Sequence, residues 1–81
     1  MNIKILGAGC PNCKKLEALT KEAIKDLGVQ AEVEKVTEYR EIVSYGVMAT
    51  PGLVIDGEVR SAGRIPSKAE ISSWITAAQA S

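Results

Sequence analysis

Asn2-Ile3-Lys4-Ile5-Leu6-Gly7-Ala8-Gly9-Cys10-Pro11-Asn12-Cys13-Lys14-Lys15-Leu16 is the stretch on which the reading of this chain turns. Its opening residues are Ile-rich, short and followed by glycine, which predicts a strand over Asn2–Leu6. Beyond Cys13 the pattern becomes helical. Leu16, Leu19, Ala23, Ile24 and Leu27 recur at three- and four-residue steps, and Lys14, Lys15, Glu17, Lys21, Glu22 and Lys25 take the other faces. Gly28 follows the last apolar residue, where a left-handed cap is usual. Two cysteines therefore stand between a strand and the first turn of a helix. Pro11 suits the first helical position, where its fixed φ fits and its missing N–H costs nothing. That makes Cys10 the N-cap.

A cysteine at that place has a chemical consequence. Its sulfur can accept hydrogen bonds from the free backbone N–H groups one turn in, near Cys13, and the helix dipole also favours a negative charge there. Cys10 is thus expected to titrate below Cys13. The effect is large, since a thiol of pKa ~8.5 is roughly 3% thiolate at pH 7 and one of pKa ~7 is about half. Cys13 lies one turn further in, should be more buried, and is placed to resolve a mixed disulfide made by Cys10. Lys14 and Lys15 could favour the thiolate or simply form a solvated helix face. Lys4, one strand-length earlier, could lie under the pair.

The rest of the chain continues the alternation. Ala31–Val36 reads as a second strand, and Thr37 can cap a short helix from Glu38 to Tyr45 that ends at Gly46. Leu53–Ile55 and Glu58–Arg60 flank Asp56-Gly57, which suits a type I′ hairpin turn. Ser67 and Glu70 form a capping box that opens a last helix with Ile71, Trp74, Ile75 and Ala78 on one face. The expected fold is α/β, in the order βαβαββα, with a mixed four-stranded sheet flanked by three helices. One domain over residues 1–81 is expected. Phe is absent, and Trp74, Tyr39 and Tyr45 are the only aromatics, so the core should be Ile, Leu and Val.

Composition excludes several functions. Ten basic residues balance ten acidic ones, which argues against an electrostatic nucleic-acid binder. No apolar run approaches a membrane span. Met1–Leu6 is too short for the apolar core of a secretory signal, so a cytoplasmic protein is expected. Paired cysteines there are usually catalytic or metal-binding. Two cysteines and no histidine rule out a Cys–His nucleophile pair and any histidine-ligated metal.

Several segments together carry a resemblance: Gly9-Cys10-Pro11-Asn12-Cys13-Lys14-Lys15-Leu16-Glu17, Ala49-Thr50-Pro51-Gly52-Leu53-Val54-Ile55, Gly57-Glu58-Val59 and Ser61-Ala62-Gly63-Arg64. The chain resembles the minimal thioredoxin-like proteins of archaea and bacteria, sometimes called glutaredoxin-like thioredoxins or redox-active disulfide proteins. The resemblance covers nearly the whole chain. It implies a thiol–disulfide oxidoreductase with Cys10 as nucleophile, Cys13 as resolving thiol, and Pro11 and Asn12 supporting them. It implies a cis peptide bond before Pro51, with Pro51 packed beside the disulfide. The backbone of Thr50 would pair with substrate, and Gly63 would let substrate approach. The expected partners are disulfide-containing proteins and a thioredoxin reductase-like enzyme or glutathione. No cofactor is expected, and the protein is expected to be a monomer.

The chain also departs from ordinary thioredoxins. Gly9 stands where they have tryptophan, gapless alignment sets Lys4 where they carry a buried acid, and their N-terminal strand and helix are missing. The proton acceptor for Cys13, the redox potential and the substrate therefore do not carry over. The rival reading is a soft-metal carrier, since Cu(I) can take two thiolates and zinc or an iron–sulfur cluster two chains' worth. Heavy-metal-binding domains, however, run βαββαβ and usually have Met before the pair, where this chain has Ala8 and Gly9. A binding module with idle cysteines, pairing through Ile71 and Trp74, is the third reading.

Overall fold

A run of four apolar or small residues, Gly52-Leu53-Val54-Ile55, is buried along its whole length. Such a strand needs cover on both faces, and the helices packed on the two sides of the sheet provide it. The computed structural model describes residues 1–80. Its elements are β1 (Asn2–Leu6), α1 (Pro11–Leu27), β2 (Glu32–Val36), α2 (Tyr39–Ser44), β3 (Gly52–Ile55), β4 (Glu58–Ala62) and α3 (Lys68–Ala80). The sheet order is β2-β1-β3-β4. β1 and β2 are parallel, joined through α1, while β3 runs antiparallel to both β1 and β4. The mixed sheet and the order βαβαββα match the sequence reading. The βαββαβ order of the metal-carrier alternative is not what the chain adopts.

Alternation along the strands sorts the core into two layers. Ile3, Ile5, Leu53 and Ile55 pack with Leu16 and Ala23 of α1 and with Ile71 and Ile75 of α3. On the opposite face Leu6, Val36 and Val54 pack with Ile42 of α2 and with Val47. Burying one such Leu or Ile fully is worth about 1.5–3 kcal/mol, so these side chains carry much of the stability of a small domain. Thr20 also lies in the interior, where its hydroxyl donates to Leu16 O at 2.8 Å and so loses no hydrogen bond. Leu27, at the end of the predicted apolar stripe, is 40% exposed instead.

The ends of the elements are set by local chemistry. Gly28 closes α1 at φ 66°, with its N–H donating to Lys25 O. Asp56 and Gly57 both have positive φ, as a type I′ turn requires. The Ser67–Glu70 capping box forms in both directions: Glu70 N donates to Ser67 Oγ at 3.1 Å, and Ser67 N donates to a Glu70 carboxylate oxygen at 3.2 Å.

Several boundaries differ from expectation, among them the start of β3, which is Gly52 rather than Leu53. The second helix is Tyr39–Ser44, shorter than Glu38–Tyr45, and Thr37 does not cap it. Glu38 occupies the N-cap without a side-chain bond. Burial of Ile42 against the sheet holds this helix in place of a cap. β2 begins at Glu32, whose N–H donates to Met1 O at 2.9 Å, one residue after the predicted start. β4 runs past Arg60 to Ala62, because a bulge slips the pairing from Val54–Val59 to Leu53–Ser61 and lets the strand continue.

Candidate active site

Cys10 and Cys13 are joined in a disulfide, with Cα atoms 5.0 Å apart. Cys10 has an extended backbone at the N-cap, and Pro11 opens the helix behind it. The Cys13 N–H donates to Cys10 Sγ at 3.1 Å, and the Lys14 N–H donates to Cys10 O at 3.1 Å. The sulfur of Cys10 therefore sits at the positive end of a 17-residue helix. The two cysteines differ sharply in access. Cys13 is 4% exposed, whereas Cys10 is only partly covered, with Pro11 and Asn12 exposed beside it.

The other predicted residues lie in two loops, Thr50 and Pro51 just before β3 and Gly63 just after β4. The Thr50–Pro51 peptide bond is cis. Pro51 is buried and Thr50 exposed. The Gly63 N–H donates to Pro51 O at 2.9 Å, which ties the loop after β4 to the residue that precedes β3. Gly63 has φ 78°, and a Cβ on it would meet Ala49 Cβ at 3.2 Å. A small residue at that point keeps the two loops close.

Gly7 links the two halves of the site, a role the sequence reading missed. A Cβ on Gly7 would overlap Cys13 Sγ and lie 3.7 Å from Thr50 Cβ. The chain leaving β1 thus passes close to the buried sulfur and near Thr50. The sequence signal was the glycine between strand and cysteine pair, which marks either a strand end or a close approach.

Lys4 is not beneath the disulfide. It shares a face of β1 with Leu6, on the α2 side of the sheet, and its Nζ donates to Tyr45 Oη at 2.9 Å. That bond holds the Lys4 ammonium above its ordinary pKa. Ile5 is the β1 side chain that faces the buried cysteine, across a cavity of about 40 Å³ also lined by Glu17 and Lys35. Lys14 and Lys15 are exposed. Among the described residues, no group of three or more His, Cys, Asp or Glu side chains is placed to hold a metal ion. None of the described helices is long and apolar enough to cross a membrane.

A family model for the thioredoxin domain matches residues 1–76. The chain belongs to the thioredoxin family. It is 49% identical over 71 residues to a thioredoxin of Methanothermobacter thermautotrophicus, covering 88% of this chain and 92% of that one. It is 42% identical over 69 residues to a thioredoxin of Methanocaldococcus jannaschii, covering 85% of this chain and 79% of that one. A probable thioredoxin of Methanothermobacter thermautotrophicus is 35% identical over 65 residues. Relatives of that name over most of the chain, together with a cysteine pair closed at a helix start, make this a thiol–disulfide oxidoreductase. Thioredoxins act on protein disulfides and depend on a reductase, so partners of those general kinds come with the family.

Proposed function

We propose that the chain reduces disulfides of other proteins through Cys10 as nucleophile and Cys13 as resolving thiol. The observation that carries this reading is the asymmetry of the pair: Cys10 is reachable and capped by backbone N–H, while Cys13 is shielded. In the reduced protein the Cys10 thiolate attacks one sulfur of the substrate disulfide. The substrate S–S bond breaks, a mixed disulfide forms, and the first substrate thiolate leaves. Cys13 then attacks Cys10 Sγ, the mixed disulfide breaks, and the second substrate thiol leaves. Two electrons have passed to the substrate, and the Cys10–Cys13 disulfide is closed. A reductase returns the two electrons.

Pro11 and Asn12 frame the partly covered Cys10 in this reading, and Thr50, Pro51 and Gly63 form the wall along which substrate backbone lies. Beside Thr50 is an open hollow of about 210 Å³ whose lining includes Ala8, Tyr39, Val43 and Met48. Met48 is 88% and Tyr39 66% exposed. Apolar side chains left exposed in a hollow that borders Thr50 and Ala8, two residues before Cys10, favour a polypeptide substrate over glutathione, which is small and anionic.

A coupled assay tests substrate and donor together. The protein is given a disulfide-bonded protein and either thioredoxin reductase with NADPH or glutathione with glutathione reductase. NADPH consumption with thioredoxin reductase, at several times the rate seen with glutathione, is the expected result. Turnover with glutathione alone contradicts the reading.

A further inference from the structure

Cys13 must lose its thiol proton before it can attack, and at 4% exposure it does so where bulk water reaches poorly. The cavity beside it is about 40 Å³, room for one water molecule, and is lined by Ile5, Gly7, Gly9, Cys13, Lys14, Glu17 and Lys35. Among these, only Glu17 offers a carboxylate; the lysines carry donors and no acceptor. Glu17 stands four residues after Cys13 on α1, hence one turn on and on the same face. Its side chain is 16% exposed and held from two sides, by Lys35 Nζ of β2 at 3.5 Å and Lys21 Nζ of α1 at 3.4 Å. The charged groups facing it are therefore Lys14 and Lys21 on its own helix and Lys35 across the cavity, while Ile5 of β1 and Gly7 just after that strand are uncharged.

We propose that Glu17 is the proton acceptor for Cys13. The proposal rests on the assignment of Cys13 as the resolving thiol. As Cys13 Sγ attacks Cys10 Sγ of the mixed disulfide, its proton passes to the Glu17 carboxylate, directly or through one water in the cavity. The Cys13–Cys10 bond forms, the bond from Cys10 to the substrate sulfur breaks, and the departing substrate thiolate is protonated from solvent. Glu17 gives up its proton to solvent afterwards, so the net reaction is unchanged. The Lys35 and Lys21 ammonium groups fix the carboxylate at the cavity wall.

The sign of one substitution separates this role from that of a bystander charge. A carboxylate that merely sits near a thiol disfavours the thiolate, so its removal speeds the second step. Loss of a proton acceptor slows it. The reduced protein is mixed with one equivalent of 5,5′-dithiobis(2-nitrobenzoate) in a stopped-flow instrument. The first thionitrobenzoate released reports attack by Cys10, and the second reports attack by Cys13. In Glu17→Gln the second release is expected to slow by about tenfold or more near neutral pH, within the usual range for general-base catalysis. Its pH midpoint should move upward, and the first release should be unchanged. A second release as fast as wild type, or faster, overturns the proposal. Cys13→Ser should release one equivalent only; two equivalents there defeat the resolving-thiol assignment itself, and the proposal with it.

Discussion

Gly7→Ala is the substitution that strikes both the fold and the chemistry. The new Cβ would overlap Cys13 Sγ and lie 3.2 Å from Cys13 Cβ. Neither side can yield freely. Gly7 N is bonded to Val36 O at 2.9 Å, and Cys13 is locked into the first turn of α1 and into the disulfide. Overpacking a close site costs about 1–3 kcal/mol, and in a domain of this size about 2 kcal/mol lowers Tm by roughly 8–16 °C. The cost should fall unequally on the two redox states. Once reduced, Cys13 Sγ can rotate away from the methyl group, whereas the closed disulfide holds it in place. If about 1 kcal/mol of the clash is relieved on reduction, the reduction potential rises by about 20 mV. Thermal unfolding of the oxidised and reduced forms, with glutathione redox equilibration, measures both effects. An oxidised Gly7→Ala protein as stable as wild type would refute the close approach.

Three further outcomes follow from particular contacts. Glu70 is held by both Arg64 guanidinium nitrogens and by the Ser67 N–H, which push its carboxyl down from 4.5 to about 2. A depressed folded-state pKa gives stability that is present above the unfolded value and lost as pH falls through the folded one. The stability difference between wild type and Glu70→Gln should therefore be present at pH 7 and vanish in acid unfolding curves between pH 4.5 and about 2. Lys4→Met should leave the alkylation rate of Cys10 unchanged, because Lys4 bonds Tyr45 on the other face of the sheet; a clear change in rate would return Lys4 to the neighbourhood of the pair. Iodoacetamide should label Cys10 before Cys13 near neutral pH, read by peptide mass mapping, and equal labelling would count against the N-cap argument.

The parts of this fold that could be read from sequence are those where one local rule dominates. Short apolar runs bounded by turn residues marked most of the strands, three- and four-residue spacing marked α1 and α3, and the capping box and the Asp56-Gly57 turn carry their own chemistry. The parts that could not be read depend on register between elements. The bulge that carries β4 to Ala62 is invisible until β3 is beside it. α2 is held by Ile42 on the sheet, so a search for its cap finds Thr37 and misplaces its start. Lys4 shows the sharpest form of the problem. Side chains in a strand alternate faces, so a gapless alignment that is off by one residue turns the wrong side chain toward the site. It is Ile5 that faces Cys13. The cysteine pair was legible as a motif, and Pro51, Thr50 and Gly63 entered only through the family resemblance, but Gly7 and Glu17 gain meaning only once β1 and α1 lie side by side.

The direct test of the proposed chemistry is the trapped intermediate. Cys13→Ser keeps the attacking sulfur of Cys10 and removes the thiol that releases it, while Cys10→Ser leaves only the shielded sulfur. Both should fold, since serine is nearly isosteric with cysteine and also caps a helix. Each variant is incubated with a disulfide-bonded protein and run on a non-reducing gel. A covalent adduct that disappears on reduction is expected with Cys13→Ser, and little or none with Cys10→Ser. Equal trapping by Cys10→Ser would contradict the assigned roles, and no adduct with either variant would contradict the exchange mechanism itself.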